Sequence, residues 1–151
     1  MIPDVATVQN GTLIALATGV LPHLSVPYAI GTAGAAAGLL AFMAQDADRA
    51  VERRVNEING MQDIFAEAAE HFADRDATFA RTLDSRSRDI FTRFNLSDLD
   101  ERRREHLPVL IELHERVEAE AADWARALER KILTHLREVA HARALYIPQL
   151  G

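Results

Sequence analysis

The sequence predicts an all-α protein: a long antiparallel helical hairpin or bundle, preceded by an apolar helical segment. Three observations predict it. No Asp, Glu, Lys or Arg occurs between Asp4 and Asp46. Beyond Asp46, apolar residues recur at three- and four-residue intervals through two stretches of matched length. Those stretches are divided by one short turn signal, Asn95-Leu96-Ser97. The expected organisation is therefore an apolar part, 1–45, and a charged helical hairpin, 46–151, with arms at 46–95 and 97–148.

The apolar part divides in two. Residues 5–21 carry the turn-prone pair Asn10-Gly11 and then Leu13-Ile14-Ala15-Leu16-Ala17. This strongly apolar run is too short for the ~20 residues that span a bilayer. Pro22 and Pro27 flank His23 in a linking segment that breaks the helix. Ser25 is placed to cap the next helix, with Pro27 in its first turn. Residues 26–44 are just long enough to span. Within them Gly31, Gly34, Ala35 and Gly38 set small residues three and four apart, the pattern that lets a second helix approach closely in lipid. A phosphate-binding glycine loop is excluded, because no lysine follows the glycines and no apolar strand precedes them.

A helix surrounded by water needs a polar face, so about 40 uncharged residues in a row must be shielded by lipid or by other protein. Arg49, Arg53 and Arg54 follow directly, and the positive-inside rule places the charged arms in the cytoplasm. Met1-Ile2-Pro3-Asp4 lacks the positive start of a secretory signal. Neither a glycine at position 2 nor any cysteine offers a lipidation point.

In the first arm Val51, Val55, Ile58, Phe65, Phe72, Phe79 and Leu83 form the apolar stripe. It weakens at Asp76 and again near Ser85-Arg86-Ser87, where a kink or break is expected. Gly60 interrupts it at a cost of about 1 kcal/mol. Ser97 is the expected N-cap of the second arm, with Asp98, Asp100 and Glu101 at its positive end. Pro108 bends or restarts that helix. The stripe resumes as Leu110, Leu113, Val117, Trp124, Leu128, Ile132 and His135, runs to Tyr146, and ends near Pro148. Two straight arms would each reach roughly 70 Å; breaks at Ser85–Arg88 and Pro108 would fold them into a shorter bundle. Antiparallel pairing sets Trp124 opposite Ala68, Glu52 opposite His141 and Glu57 opposite His135.

The net charge of -6 excludes a general nucleic-acid binder. With no cysteine, disulfides and thiolate metal sites are excluded. No nucleophile–base arrangement is visible, and no organic cofactor is implied. Glu138-Val-Ala-His141 matches the Glu-x-x-His spacing of helical di-iron proteins, with Glu52 as the facing carboxylate. These three are the candidate ligands for iron or manganese. A likeness to encapsulated ferritin-type hairpins ends at Glu105-His106, where the required spacing is missing. Glu67, Glu70 and His71 face Glu118, Glu120 and Asp123; the group reads as a solvated surface with ion pairs to Arg75 and Arg126, the alternative being a divalent cation held through oxygen ligands. Arg102-Arg103-Arg104, flanked by Glu101 and Glu105, reads as a solvated basic cluster.

The leading expectation is a membrane-associated assembly protein, a homo-oligomer without intrinsic catalysis. A pore subunit built around the Pro22–Pro27 link, and a soluble ferritin-like metal-binding bundle, are the alternatives.

Overall fold

The computed structural model describes residues 5–47 and 49–144, and they form six α-helices and no strand. Tyr146 and Pro148 lie outside the described residues. The chain divides into two compact units, residues 1–50 with 144–151, and residues 51–143.

In the first unit, helix α1 (Val5–Ala15) runs on through a π-helical turn, Leu16–Val20, and a 3-10 turn, Leu21–His23. Helix α2 spans Pro27–Ala47, with Pro27 at its first position, where a missing N–H costs no hydrogen bond. The two helices pack side by side. Gln9 and Leu13 of α1, Leu16 of the π turn and Ala29, Ala33 and Ala37 of α2 are half-buried, as are Gly38, Leu40, Ala41, Phe42, Ala44, Gln45 and Asp46 toward the end of α2. The four-residue spacing of the three alanines puts them on one face, and the other faces of α2 are exposed over residues 27–36.

The second unit is a four-helix module: α3 (Ala50–Phe72), α4 (Ala77–Ser87), α5 (Leu96–Glu118) and α6 (Asp123–Ala142). Each arm of the expected hairpin is thus folded back once, giving a bundle. The first fold lies at residues 73–76, where Asp76 caps α4: its Oδ1 accepts from the amides of Thr78 (3.1 Å) and Phe79 (3.0 Å). The second lies at residues 119–122, where neither glycine nor proline stands.

Pro108, the expected breakpoint, sits inside α5. It is exposed, so the carbonyl it leaves unpaired one turn earlier can be hydrated. The cap of α5 is Asn95 rather than Ser97. The Asn95 Oδ1 accepts from the Asp98 amide (2.9 Å) and the Ser97 hydroxyl (2.7 Å), so the helix begins at Leu96, ahead of the serine.

All four helices supply the core. Phe65, Leu83, Leu113 and Leu128 are fully buried, one from each. His106 is buried with them, stacked on Phe65 at 5.7 Å, its ring nitrogens facing the carbonyls of Arg102 (2.9 Å) and Arg86 (3.2 Å). The contact with Arg86 ties the end of α4 to α5.

Phe65→Ala should lower the stability of the module by about 3–5 kcal/mol in urea unfolding, whereas Ile111→Ala, at an exposed position, should change it by less than about 0.5 kcal/mol.

Candidate functional site

Two features stand out, one in each unit. The first is the surface of the α1–α2 hairpin. Ile14, Val26, Tyr28 and Leu39 are all more than half exposed, and no residue of α2 is buried. The threonine hydroxyls of this surface are satisfied from within, whereas Gln9 Oε1 is shut off from solvent without a hydrogen bond. The Thr12, Thr18 and Thr32 hydroxyls donate to the carbonyls of Val8 (2.9 Å), Ile14 (2.8 Å) and Tyr28 (2.9 Å), one turn back in each case. Gly31, Gly34 and Gly38 have no atom within 4 Å of where a Cβ would stand. Gly31, Gly34 and Ala35 are exposed, and Gly38 is half-buried.

The second is a cavity of about 240 Å³ between α3 and the end of α6, lined by Asn56, Glu57, His135, Glu138 and Arg143 among others. Glu57 is only 7% exposed. A buried carboxylate needs compensating charge, and two arginines supply it. Arg103 Nε donates to Oε1 at 2.6 Å, and Arg143 Nη2 reaches both oxygens at 2.9 and 2.7 Å. The carboxylate is therefore engaged and not free to bind a metal. His135 is half-buried in the same wall. Its Nδ1 lies 2.5 Å from where a Cβ on Gly60 would stand, so the glycine admits the ring. Burial pushes the His135 pKa down, outweighing the upward pull of Glu57 and Glu138. The half-buried imidazole and the doubly paired carboxylate thus share one wall between α3 and α6, and the arginines join α5 and the end of α6 to Glu57 of α3.

The expected metal set does not converge within the chain. Glu52, Glu138 and His141 are all exposed; only Glu138 lines the cavity. The α3–α6 register lies about one turn from the expected one. Trp124 stacks on His71 (4.7 Å), meets Phe72 edge-on (5.7 Å) and carries the Arg75 guanidinium at 5.1 Å, a turn beyond Ala68.

The acidic surface is ion-paired: Glu67 with Lys131 (2.6 Å), Glu120 with Arg75 (3.1 Å) and Asp123 with Arg126 (3.1 Å). The basic cluster is largely consumed inside the module. Arg102 meets Asp89 and Arg103 meets Glu57, both at 2.6 Å, while Arg104 donates to the Asp100 carbonyl. Among the described residues, the only three ligand-type side chains brought within 4.8 Å of one another are His114, Glu118 and Glu129, which the spacing search did not single out. Comparison with family models, curated proteins and solved structures finds no match to this chain.

Because its folded pKa lies below the unfolded value of 6.5, His135 binds a proton in the unfolded state first. Its contribution is present above that value and is lost as pH falls through the folded pKa. The urea midpoint should therefore fall between about pH 7.5 and about pH 5.5, and His135→Gln should flatten that fall. Gly60→Ala should destabilise the protein despite its better helix propensity, and the loss should shrink when His135→Ala is present.

Proposed function

We propose that the chain is a membrane-associated helical assembly protein, with residues 5–47 in lipid and residues 51–143 as a water-facing module acting through contacts with other proteins. The observation that carries this reading is the uncovered apolar hairpin. The length of α2, 21 residues, is about 31 Å of helix, against a hydrocarbon core of about 30 Å. Only Asp46, near its end, carries charge. Each large apolar side chain moved from water into lipid gains roughly 1.5–3 kcal/mol. The threonine hydroxyls, bonded back to their own helices, need no water to be satisfied.

On this reading α2 spans the bilayer. Helix α1 with its π turn measures only about 24 Å and packs beside it as a shorter, re-entrant partner. The open glycine face is where a second copy of α2 packs, which makes the assembly a homo-oligomer. Arg49, Arg53 and Arg54 hold the module on the cytoplasmic side.

The test is flotation of the full chain with phospholipid vesicles, followed by carbonate extraction and by cross-linking in detergent. The wild type should float and resist extraction. Ala36→Arg with Leu39→Arg should release it: an arginine in a span costs about 2.5–3.5 kcal/mol, so two lower the bound fraction at least ~100-fold. Gly34→Leu should leave flotation intact and remove the cross-linked species. A wild-type chain that stays behind as a monomer, soluble without detergent, overturns the reading.

A further inference from the structure

The turn at 119–122 brings the end of α5 and the start of α6 together, and with them three groups of metal-ligand type. His114 and Glu118 are four residues apart on α5 and so share a face; Glu129 comes from α6. Their ligand atoms all lie within 4.8 Å of one another.

Two independent features separate this group from an ordinary charged surface. The first concerns Glu129. Among the described residues of the module, every other buried or half-buried carboxylate has a partner. Glu57, Glu67, Asp76 and Asp100 meet arginine or lysine, as do Asp84, Asp89 and Glu120. Asp98 accepts from the Asn95 side chain. Glu129 is half-buried and has neither an ion pair nor a hydrogen bond. The second concerns His114. Its Nε2 is shut off from solvent and makes no hydrogen bond; the Glu118 carboxylate lies 3.5 Å from it.

The local field adds to both. Glu118 is the last residue of α5, where the helix dipole is negative. Two carboxylates and a helix C-terminus therefore meet, and neither carboxylate is ion-paired to an arginine or lysine among the described residues. That is an arrangement completed by a cation.

We propose that His114, Glu118 and Glu129 bind a divalent transition metal of the zinc class. The imidazole selects against calcium and magnesium, which take oxygen ligands. A point about 2.8 Å from each ligand atom exists between atoms this close, and rotation of the two glutamate side chains closes the remaining distance to about 2.0–2.2 Å. Three protein ligands leave a fourth position for water, as in a tetrahedral zinc site. The site lies wholly within the four-helix module and does not depend on the membrane reading.

The experiment uses the full chain, stripped with chelator and titrated with zinc alone by calorimetry, with cobalt as the spectroscopic substitute. One equivalent should bind, raise the unfolding temperature, and give the visible absorption of four-coordinate cobalt. His114→Ala should abolish binding. Glu129→Gln, close in shape and expected to keep its helical spectrum, should weaken it at least about tenfold. His141→Ala should leave it unchanged. Absence of stoichiometric zinc binding overturns the proposal. So does binding that survives in folded Glu129→Gln, or that is lost in His141→Ala.

Discussion

Two helices packed as a hairpin have one face each to give to the other. In α1 and α2 the inward faces are taken by small and medium residues, Ala29, Ala33 and Ala37 against Leu13 and Leu16. The rest of each circumference is left over. In an ordinary surface helix the remainder is charged, and water covers it. Here it is mainly leucine, isoleucine, valine, alanine and glycine, with uncharged Asn10, Tyr28 and three threonines among them, and none of α2 is buried. No rearrangement of two helices removes this surface, because the hairpin lacks the polar residues to cover it. That geometry, together with hydropathy, is what supports the proposed membrane role.

The module of residues 51–143 solves the opposite problem. It is rich in charge, and arginines pair with the carboxylates that lie partly or wholly inside it. Glu57 is the extreme case, buried between Arg103 and Arg143. Asp76 is a gentler one. Hydrogen bonds from the Phe79 amide and from Arg116 (2.9 Å) hold its carboxyl below the usual carboxylate range, while Asp76 and Glu112 together raise Arg116. Asp76 therefore starts α4 and fastens it to α5 with one side chain. Arg54 draws Asp100 down in the same way, linking α3 to α5. At bridges this exposed the energetic return is small, and their larger effect is to fix which helix faces which.

Much of this architecture was legible in the residues. The charge gap marked the apolar hairpin, the two prolines marked its turn, and Asn95-Leu96-Ser97 marked the centre of the charged part. Asp76, read as a weak point in the stripe, proved to be a cap. What escaped the sequence was the fold at 119–122. Ala119-Glu120-Ala121-Ala122 are helix-tolerant residues, and Ala122 makes no side-chain cap. The chain turns there because tertiary packing of α6 against α3 outweighs local propensity. The miss had a consequence. With an unbroken arm, Glu118 and Glu129 lie eleven residues apart along one rod and cannot meet. Only the turn brings them together, so a search for ligands at fixed helical spacing found Glu138 and His141 instead.

The glycines of α2 close the argument about its surroundings. In a water-exposed helix each glycine costs about 0.8–1.0 kcal/mol relative to alanine, so Gly31, Gly34 and Gly38 together cost roughly 3 kcal/mol. Nothing in the chain recovers it. No turn needs a positive backbone angle there, and no neighbouring atom comes close enough to demand the missing Cβ. Gly60 is the contrast: its cost is matched by the His135 ring lying where a side chain would be. An interior glycine with such a neighbour explains itself, and Gly31, Gly34 and Gly38 have none among the described residues. In the proposed assembly a second α2 approaches across Gly31, Gly34, Ala35 and Gly38, and in lipid the close packing so gained favours association.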